Sequence, residues 1–440
     1  MGRCCEILSS SSVPVMLCLF MSATVHVGIL KVIGLYLRDI SIDLETSSAD
    51  MGIALGLLNT FVYIPSPLIA TLYRHRSIRS PLLISGAFLL TSGVALFSMA
   101  TTNIQMSVCL SVTGLGISIL LICCIVTLHH VARDNYNLCL GLGLSGYGAG
   151  MVLFPLLAEF LHSPYGWRGG LLIMSALIAH VIPCAVGITT GSDERSIRTR
   201  DFEQIESSST GIIDQNMNRE DTEAARSSEG SRFGHVSVIH SIANSLRQSD
   251  FYVDPVFNVI FALNFAYYMV TTGWYSFLVP HVLQRGISVK NTIILTFAGA
   301  IGNTSSRLGV GVVTNHLLTP IDVYIFATIL NITALLVDVF VANYYIMLVT
   351  TCFSAMAIGG RAVLTSLIVR ERASSDKFDI AFSLIRCISG IGMFLGGYLG
   401  GLLADTFSSF NATFKMLTIV DGVVLILVLV MKCNPKPNSS

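Results

Sequence analysis

The sequence predicts an all-α membrane protein with twelve transmembrane helices arranged as two six-helix halves. Of its 440 residues, 53% are hydrophobic and only 12% are charged, whereas an ordinary soluble domain carries about 25% charged residues. The apolar residues fall in long blocks, and about 18 of them in a row suffice for one helix to cross a bilayer. A polar stretch separates the first six blocks from the last six.

The predicted spans are the blocks between charged or Pro/Gly-rich breaks. Spans 1 to 6 begin near Val13, Met51, Pro81, Ile104, Leu138 and Gly169. Spans 7 to 12 begin near Val253, Asn291, Ile321, Tyr344, Phe378 and Phe410. The chain therefore divides into an N-terminal half over residues 1–190 and a C-terminal half over residues 253–440. Block 1 is too long for the apolar region of a secretory signal, so we expect it to be retained as a span.

The polar stretch over residues 191–252 is predicted to be a cytoplasmic, disordered linker. It contains a run of serines and alternating acids and bases. It lacks the apolar period that a segment needs in order to pack against the helices.

The distribution of Lys and Arg predicts the orientation, because basic residues are retained on the cytoplasmic side. With the N-terminus inside, most loop Lys and Arg residues are cytoplasmic. The outer loops then hold only Arg38, Arg168, Arg285, Lys290 and Lys415. We therefore expect both termini to be cytoplasmic, in a multi-pass protein of the plasma membrane.

Charge and motif content exclude several function classes. The formal net charge is zero, which gives no basis for nucleic acid as a partner. Most of the 11 cysteines lie inside apolar blocks and indicate neither a disulfide framework nor a zinc site. Ser145 lacks the Gly-x-Ser-x-Gly elbow of a hydrolase nucleophile. We therefore predict no enzymatic activity, no cofactor and no metal.

Four cationic side chains lie inside predicted spans, and a charge in the bilayer is a functional hypothesis by default. They are Lys31, Arg307, Arg361 and Arg386. The intramembrane acids are fewer and lie nearer to span ends, so the excess of positive charge favours an anionic substrate.

Each cation also has a structural alternative. Lys31 could extend to the outer interface without binding a substrate. Arg307 could form an ion pair with a carboxylate such as Asp338. For Arg361 and Arg386, the sequence favours structural pairing and substrate contact equally.

Several segments resemble the monocarboxylate transporter family of the major facilitator type, over nearly the whole chain outside the linker. The similar segments are Leu30 to Leu37, Leu138 to Gly146, Tyr165 to Gly169, and Gly302 to Arg307. The resemblance implies the six-plus-six major facilitator fold. It also implies that Lys31 receives a substrate carboxylate near the outer mouth, together with Arg307 in span 8.

The chain departs from the family pattern at informative positions. Asn303 stands where proton-coupled members have Asp, four residues before Arg307. By the same resemblance, Ile358 and Ala362 line the span 10 side of the pocket, where other members have a bulkier aromatic residue and a hydroxyl. This difference weakens an assignment to lactate or pyruvate.

These observations predict transport of a monocarboxylate or related small organic anion by alternating access, with Lys31, Asn303, Arg307, Ile358, Arg361 and Ala362 as candidate substrate-binding residues. One alternative is a proton-independent facilitator of an amino acid or another carboxylate-bearing solute. A second is a non-transporting receptor or scaffold. Some members of the family require a single-span immunoglobulin-type chaperone, so the resemblance makes such a protein a candidate partner beside the lipid bilayer.

Overall fold

The computed structural model describes residues 12–73, 76–132, 136–188, 255–316, 318–372 and 378–433, and these residues form helices without a β-strand. The N-terminal half contains α1 (Val13–Asp43), α2 (Ser48–Tyr63), α3 (Ser66–Tyr73), α4 (Arg76–Ser98), α5 (Asn103–Ala132), α6 (Tyr136–Leu144) and α7 (Gly146–Ile178). The C-terminal half contains α8 (Pro255–Gln284), α9 (Val289–His316), α10 (Pro320–Phe340), α11 (Tyr344–Arg372), α12 (Phe378–Thr406) and α13 (Phe410–Cys433). A further helical stretch covers residues 181–188. The predicted linker lies outside the described residues.

The all-α membrane class is confirmed. Within the part of the chain that the structure describes, nine helical segments are long and apolar enough to cross a membrane. The longest, Cys139–Ile188, has 50 residues, whereas one crossing needs about 20. It bends at Gly166, just after Pro164, where φ is +64° and ψ is −175° and the helix α7 is interrupted. Only glycine adopts this backbone conformation readily. The total of twelve spans stays a prediction.

The two halves meet mainly along three helix pairs: α2 with α12, α1 with α8, and α7 with α9. Smaller contacts join α3 with α12 and α2 with α8. We call the side of the molecule where α1 ends and α2 begins the far face. At the far face, Asp405 of α12 accepts hydrogen bonds from the backbone N–H groups of Ser48 (2.9 Å) and Ala49 (2.6 Å). The first N–H groups of a helix have no carbonyl acceptor within that helix. Asp405 therefore supplies the acceptors for two such N–H groups of α2.

Glycines bring the α2 and α12 backbones into direct contact below this cap. A Cβ atom on Gly52 would lie 2.2 Å from the Gly397 carbonyl oxygen, and one on Gly401 would lie 2.1 Å from the Ser48 carbonyl oxygen. Small residues at such positions allow membrane helices to approach closely. The far face is therefore closed between α2 and α12.

We expect Gly52→Ala to loosen this contact, because the new methyl group would meet backbone and not a movable side chain. Overpacking of this kind costs about 1–3 kcal/mol. The purified variant should therefore unfold in detergent at a lower temperature than the unmodified protein. Gly141→Ala is the matched control, since a Cβ there meets nothing within 4 Å. Equal melting temperatures for the two variants would contradict the contact.

Candidate functional site

Lys31 lies in the middle of α1 and is completely buried. Its ammonium group donates a 3.0 Å hydrogen bond to the Tyr275 carbonyl oxygen of α8. The same nitrogen lies 4.7 Å from the ring centre of Trp274 and 5.2 Å from that of Tyr275. Lys31 therefore points from the N-terminal half into the C-terminal half and does not extend to a membrane interface.

Asn303 and Arg307 lie one helical turn apart on α9 and contact each other. The Arg307 Nε donates to Asn303 Oδ1 at 2.9 Å. The amide nitrogen of Asn303 donates to the Tyr275 hydroxyl at 2.9 Å and to the Ala355 carbonyl at 3.3 Å. Tyr275 thus contacts Lys31 through its carbonyl and Asn303 through its hydroxyl. The structure therefore brings three of the candidate residues into one cluster.

Arg307 also crosses between the halves. Its guanidinium carbon lies 4.8 Å from the ring centre of Tyr147 on α7. Tyr147 in turn approaches His26 of α1, with 3.4 Å between its hydroxyl and the His26 Nδ1. Asn59 lies on the other side of this imidazole, 2.9 Å from Nε2. His26 is therefore a hydrogen-bonded interior side chain in the wall next to Arg307.

The candidate residues of α11 occupy different positions relative to this cluster. Ile358 is buried, and its carbonyl accepts a 2.7 Å hydrogen bond from the Tyr267 hydroxyl. At the next residue, a Cβ on Gly359 would lie 2.8 Å from the Asn303 amide nitrogen, so this part of α11 borders the cluster. Ala362 is half-buried and packs against apolar side chains within the C-terminal half.

Arg361 belongs to a separate network. It is fully buried and forms an ion pair with Asp421 of α13. Asn331 of α10 donates to the other Asp421 oxygen at 2.7 Å, and the Tyr267 ring centre lies 5.0 Å from the guanidinium carbon of Arg361. Among the described residues, none of these contacts is made directly with Lys31, Asn303 or Arg307. The sequence left substrate contact and structural pairing open for Arg361, and the structure shows the pairing with Asp421.

The alternative proposed for Arg307 is not observed. Asp338 lies 3.2 Å from the imidazole of His281 and approaches the hydroxyl of Thr350. Within the described ranges, no carboxylate forms an ion pair with Lys31 or Arg307. Two cations without a counter-charge among the described residues therefore belong to one cluster around Tyr275 and Asn303 at the interface, and such an arrangement attracts an anion.

The sequence did not identify the aromatic side chains that hold these cations. Trp274, Tyr275 and Tyr147 lie inside apolar blocks, where an aromatic residue usually serves packing. A signal was present in the spacing of Tyr267, Tyr268, Trp274 and Tyr275 along one predicted span. Together with two intramembrane cations it could have indicated cation–π contacts.

A helical membrane protein with two halves and an anion-attracting site between them has the architecture of a transporter. The chain belongs to the Major Facilitator Superfamily, whose sequence model matches residues 13–321. This family makes it a membrane transporter and not an enzyme.

Curated relatives narrow the comparison. The chain is 21% identical to rat monocarboxylate transporter 2, over 90% of this chain and 77% of that protein. It is 23% identical to mouse monocarboxylate transporter 6, over 91% of this chain and 82% of that protein. The resemblance drawn from the sequence is thereby confirmed.

A solved structure supports the fold. The crystal structure of the nucleoside transporter NupG matches with a TM-score of 0.66 and 12% identity, over 96% of this chain and 99% of that one. At this identity the match shows the major facilitator fold alone.

We expect Asp421→Asn to destabilise the protein, because it leaves the buried Arg361 guanidinium without its counter-charge. Breaking a buried ion pair on one side costs about 3–5 kcal/mol. The variant should show a lower melting temperature and a lower yield of folded protein in detergent. Joint replacement by Arg361→Met and Asp421→Leu removes both charges and should recover much of the loss. If the single variant melted like the unmodified protein, the pair would have no structural role.

Proposed function

We propose that this transporter carries a monocarboxylate or related small organic anion across the plasma membrane by alternating access. In this proposal the six-helix halves rock about a central site, and Lys31 and Arg307 hold the carboxylate between them. The single observation that supports it most strongly is that both cations lie at the interface of the halves and have no acidic partner among the described residues. The names of the curated relatives, which are monocarboxylate transporters, agree with it.

The two cations have different roles in this proposal. Arg307 presents a planar fork that can hold a carboxylate through two parallel hydrogen bonds. Lys31 is a compact point charge on a flexible stem. Because one belongs to α9 and the other to α1, a carboxylate bound by both links the two halves directly.

An amino acid is a weaker candidate than a simple carboxylate. Its ammonium group would need an anionic or strongly accepting partner in the site. Among the described residues, Lys31 and Arg307 are bordered by tyrosines, a tryptophan and an asparagine, and no carboxylate contacts them. The scaffold alternative leaves the buried cations unexplained, because a scaffold has no need for them.

The remaining parts of the proposal follow from the sequence. Both termini and the linker over residues 191–252 are placed in the cytoplasm because of the Lys and Arg distribution. A single-span immunoglobulin-type chaperone is a candidate partner by resemblance alone. Uptake of labelled carboxylates by cells, with surface expression measured in parallel, tests the transport activity.

We expect Lys31→Ala and Arg307→Ala each to reduce uptake at least about tenfold, since each removes a charge-assisted hydrogen bond to the carboxylate. Lys31→Arg should keep part of the activity because the charge remains. Arg307→Lys should not, because the bidentate fork is lost. Uptake is measured per molecule at the cell surface. Normal transport by Arg307→Ala would remove this residue from the substrate site.

We expect transport to depend only weakly on a proton gradient, because Asn303 cannot titrate. Asn303→Asp would place an acid one turn from Arg307, where it pairs with the arginine when ionised and releases it when protonated. Uptake by this variant should therefore be slower at neutral outer pH and should rise more steeply on acidification than in the unmodified protein. The measurement is initial uptake rate against outer pH. Concentrative, proton-driven uptake by the unmodified protein would contradict the facilitator interpretation and leave symport.

A further inference from the structure

A third cation, Arg386 of α12, also reaches from the C-terminal half into the N-terminal half. Its Nε donates a 2.9 Å hydrogen bond to the Ser66 hydroxyl at the start of α3. Its guanidinium carbon lies 4.6 Å from the ring centre of Tyr63 at the end of α2. The side chain is partly exposed, and no carboxylate of the described residues pairs with it.

Arg386 and Arg307 make the same kind of contact across the interface. Each belongs to the C-terminal half and stacks on a tyrosine of the N-terminal half, at 4.6 Å and 4.8 Å respectively. Arg361 differs from both because Asp421 neutralises it. Of these three intramembrane arginines, Arg307 and Arg386 border the interface, and neither has a counter-charge among the described residues.

The two arginines border one tyrosine-lined region. Arg307 lies on Tyr147 and donates to Asn303. The Tyr63 ring, on which Arg386 lies, is 5.3 Å from that of Tyr268, and the Tyr268 ring is 4.9 Å from that of Tyr267. These three rings lead from Arg386 to Tyr267, whose hydroxyl donates to the Ile358 carbonyl where α11 borders the Asn303–Arg307 cluster.

We propose that Arg386 is a second anion-binding side chain, and that the site accepts short dicarboxylates whose second carboxylate pairs with Arg386. This inference rests on the proposed function, in which the first carboxylate is held by Lys31 and Arg307. The Nε and the ring-facing side of the Arg386 guanidinium are used by Ser66 and Tyr63. Its terminal nitrogens contact no acceptor among the described residues, and they form the edge with which arginine binds carboxylates.

The competing explanation is that Arg386 only holds α12 against α2 and α3. In that case its loss would change transport of every substrate by the same factor. A binding role instead predicts a change that depends on the second carboxylate. The comparison of mono- and dicarboxylates of equal chain length separates the two.

The test is uptake by the purified protein in liposomes, with labelled unbranched monocarboxylates and dicarboxylates of three to six carbons. The unmodified protein should transport at least one dicarboxylate. Arg386→Gln should lower kcat/KM for that dicarboxylate about tenfold more than for the monocarboxylate of equal length, as loss of a hydrogen bond to a charged group implies. Arg386→Lys should fall between them, because it keeps the charge and loses the fork.

Ser66→Ala is the matched control, since it removes the contact to α3 and keeps the Arg386 charge. It should change mono- and dicarboxylate uptake by similar factors. Equal losses for both substrate classes in Arg386→Gln would overturn the binding role in favour of the structural one. Monocarboxylate uptake that depends on Arg307, without uptake of any dicarboxylate, would overturn this inference alone. No uptake of either class would overturn the proposed function as well.

Discussion

The contact between the two halves depends on cations that have no acidic partner among the described residues and lie instead on aromatic rings of the opposite half. Lys31 contacts Trp274 and Tyr275, Arg307 contacts Tyr147, and Arg386 contacts Tyr63. One Lys or Arg at the centre of a bilayer costs about 2.5–3.5 kcal/mol on insertion scales. A cation–π contact returns about 0.5–2 kcal/mol. The rings therefore compensate each charge only in part, and an anion would complete the compensation.

Arg361 shows the opposite arrangement within the same half. Asp421 pairs with it, and Asn331 holds the second carboxylate oxygen at 2.7 Å. A paired charge of this kind has little remaining attraction for a mobile anion. On the proposed mechanism, its acidic partner therefore separates Arg361 from the arginines that bind the anion.

Most of the fold could be predicted from the sequence, because bilayer thickness sets the length of each apolar block. The predicted starts at Val13, Tyr344 and Phe410 are the first residues of their helices. Part of the candidate site could also be predicted. The cost of a charge in the bilayer singled out four cations, and the family resemblance selected Lys31 and Arg307 among them. The pairing of Arg361 could not, because Asp421 lies 60 residues away along the chain and no local spacing connects them. The role of Tyr275 was likewise hidden, since its contacts come from two other helices.

The cation–aromatic contacts bear on how the transporter changes conformation when no substrate is bound. Alternating access requires the halves to change their contacts both with and without substrate. Each cation has an aromatic partner on the other half, so on the proposed mechanism these contacts can hold the interface together when no anion is bound. On the proposed mechanism, binding of a carboxylate replaces two such contacts by one anion shared between Lys31 and Arg307. Loading and unloading then exchange one set of contacts between the halves for another, which leaves reorientation of the unloaded carrier possible. This is what a facilitator requires and an obligatory exchanger does not.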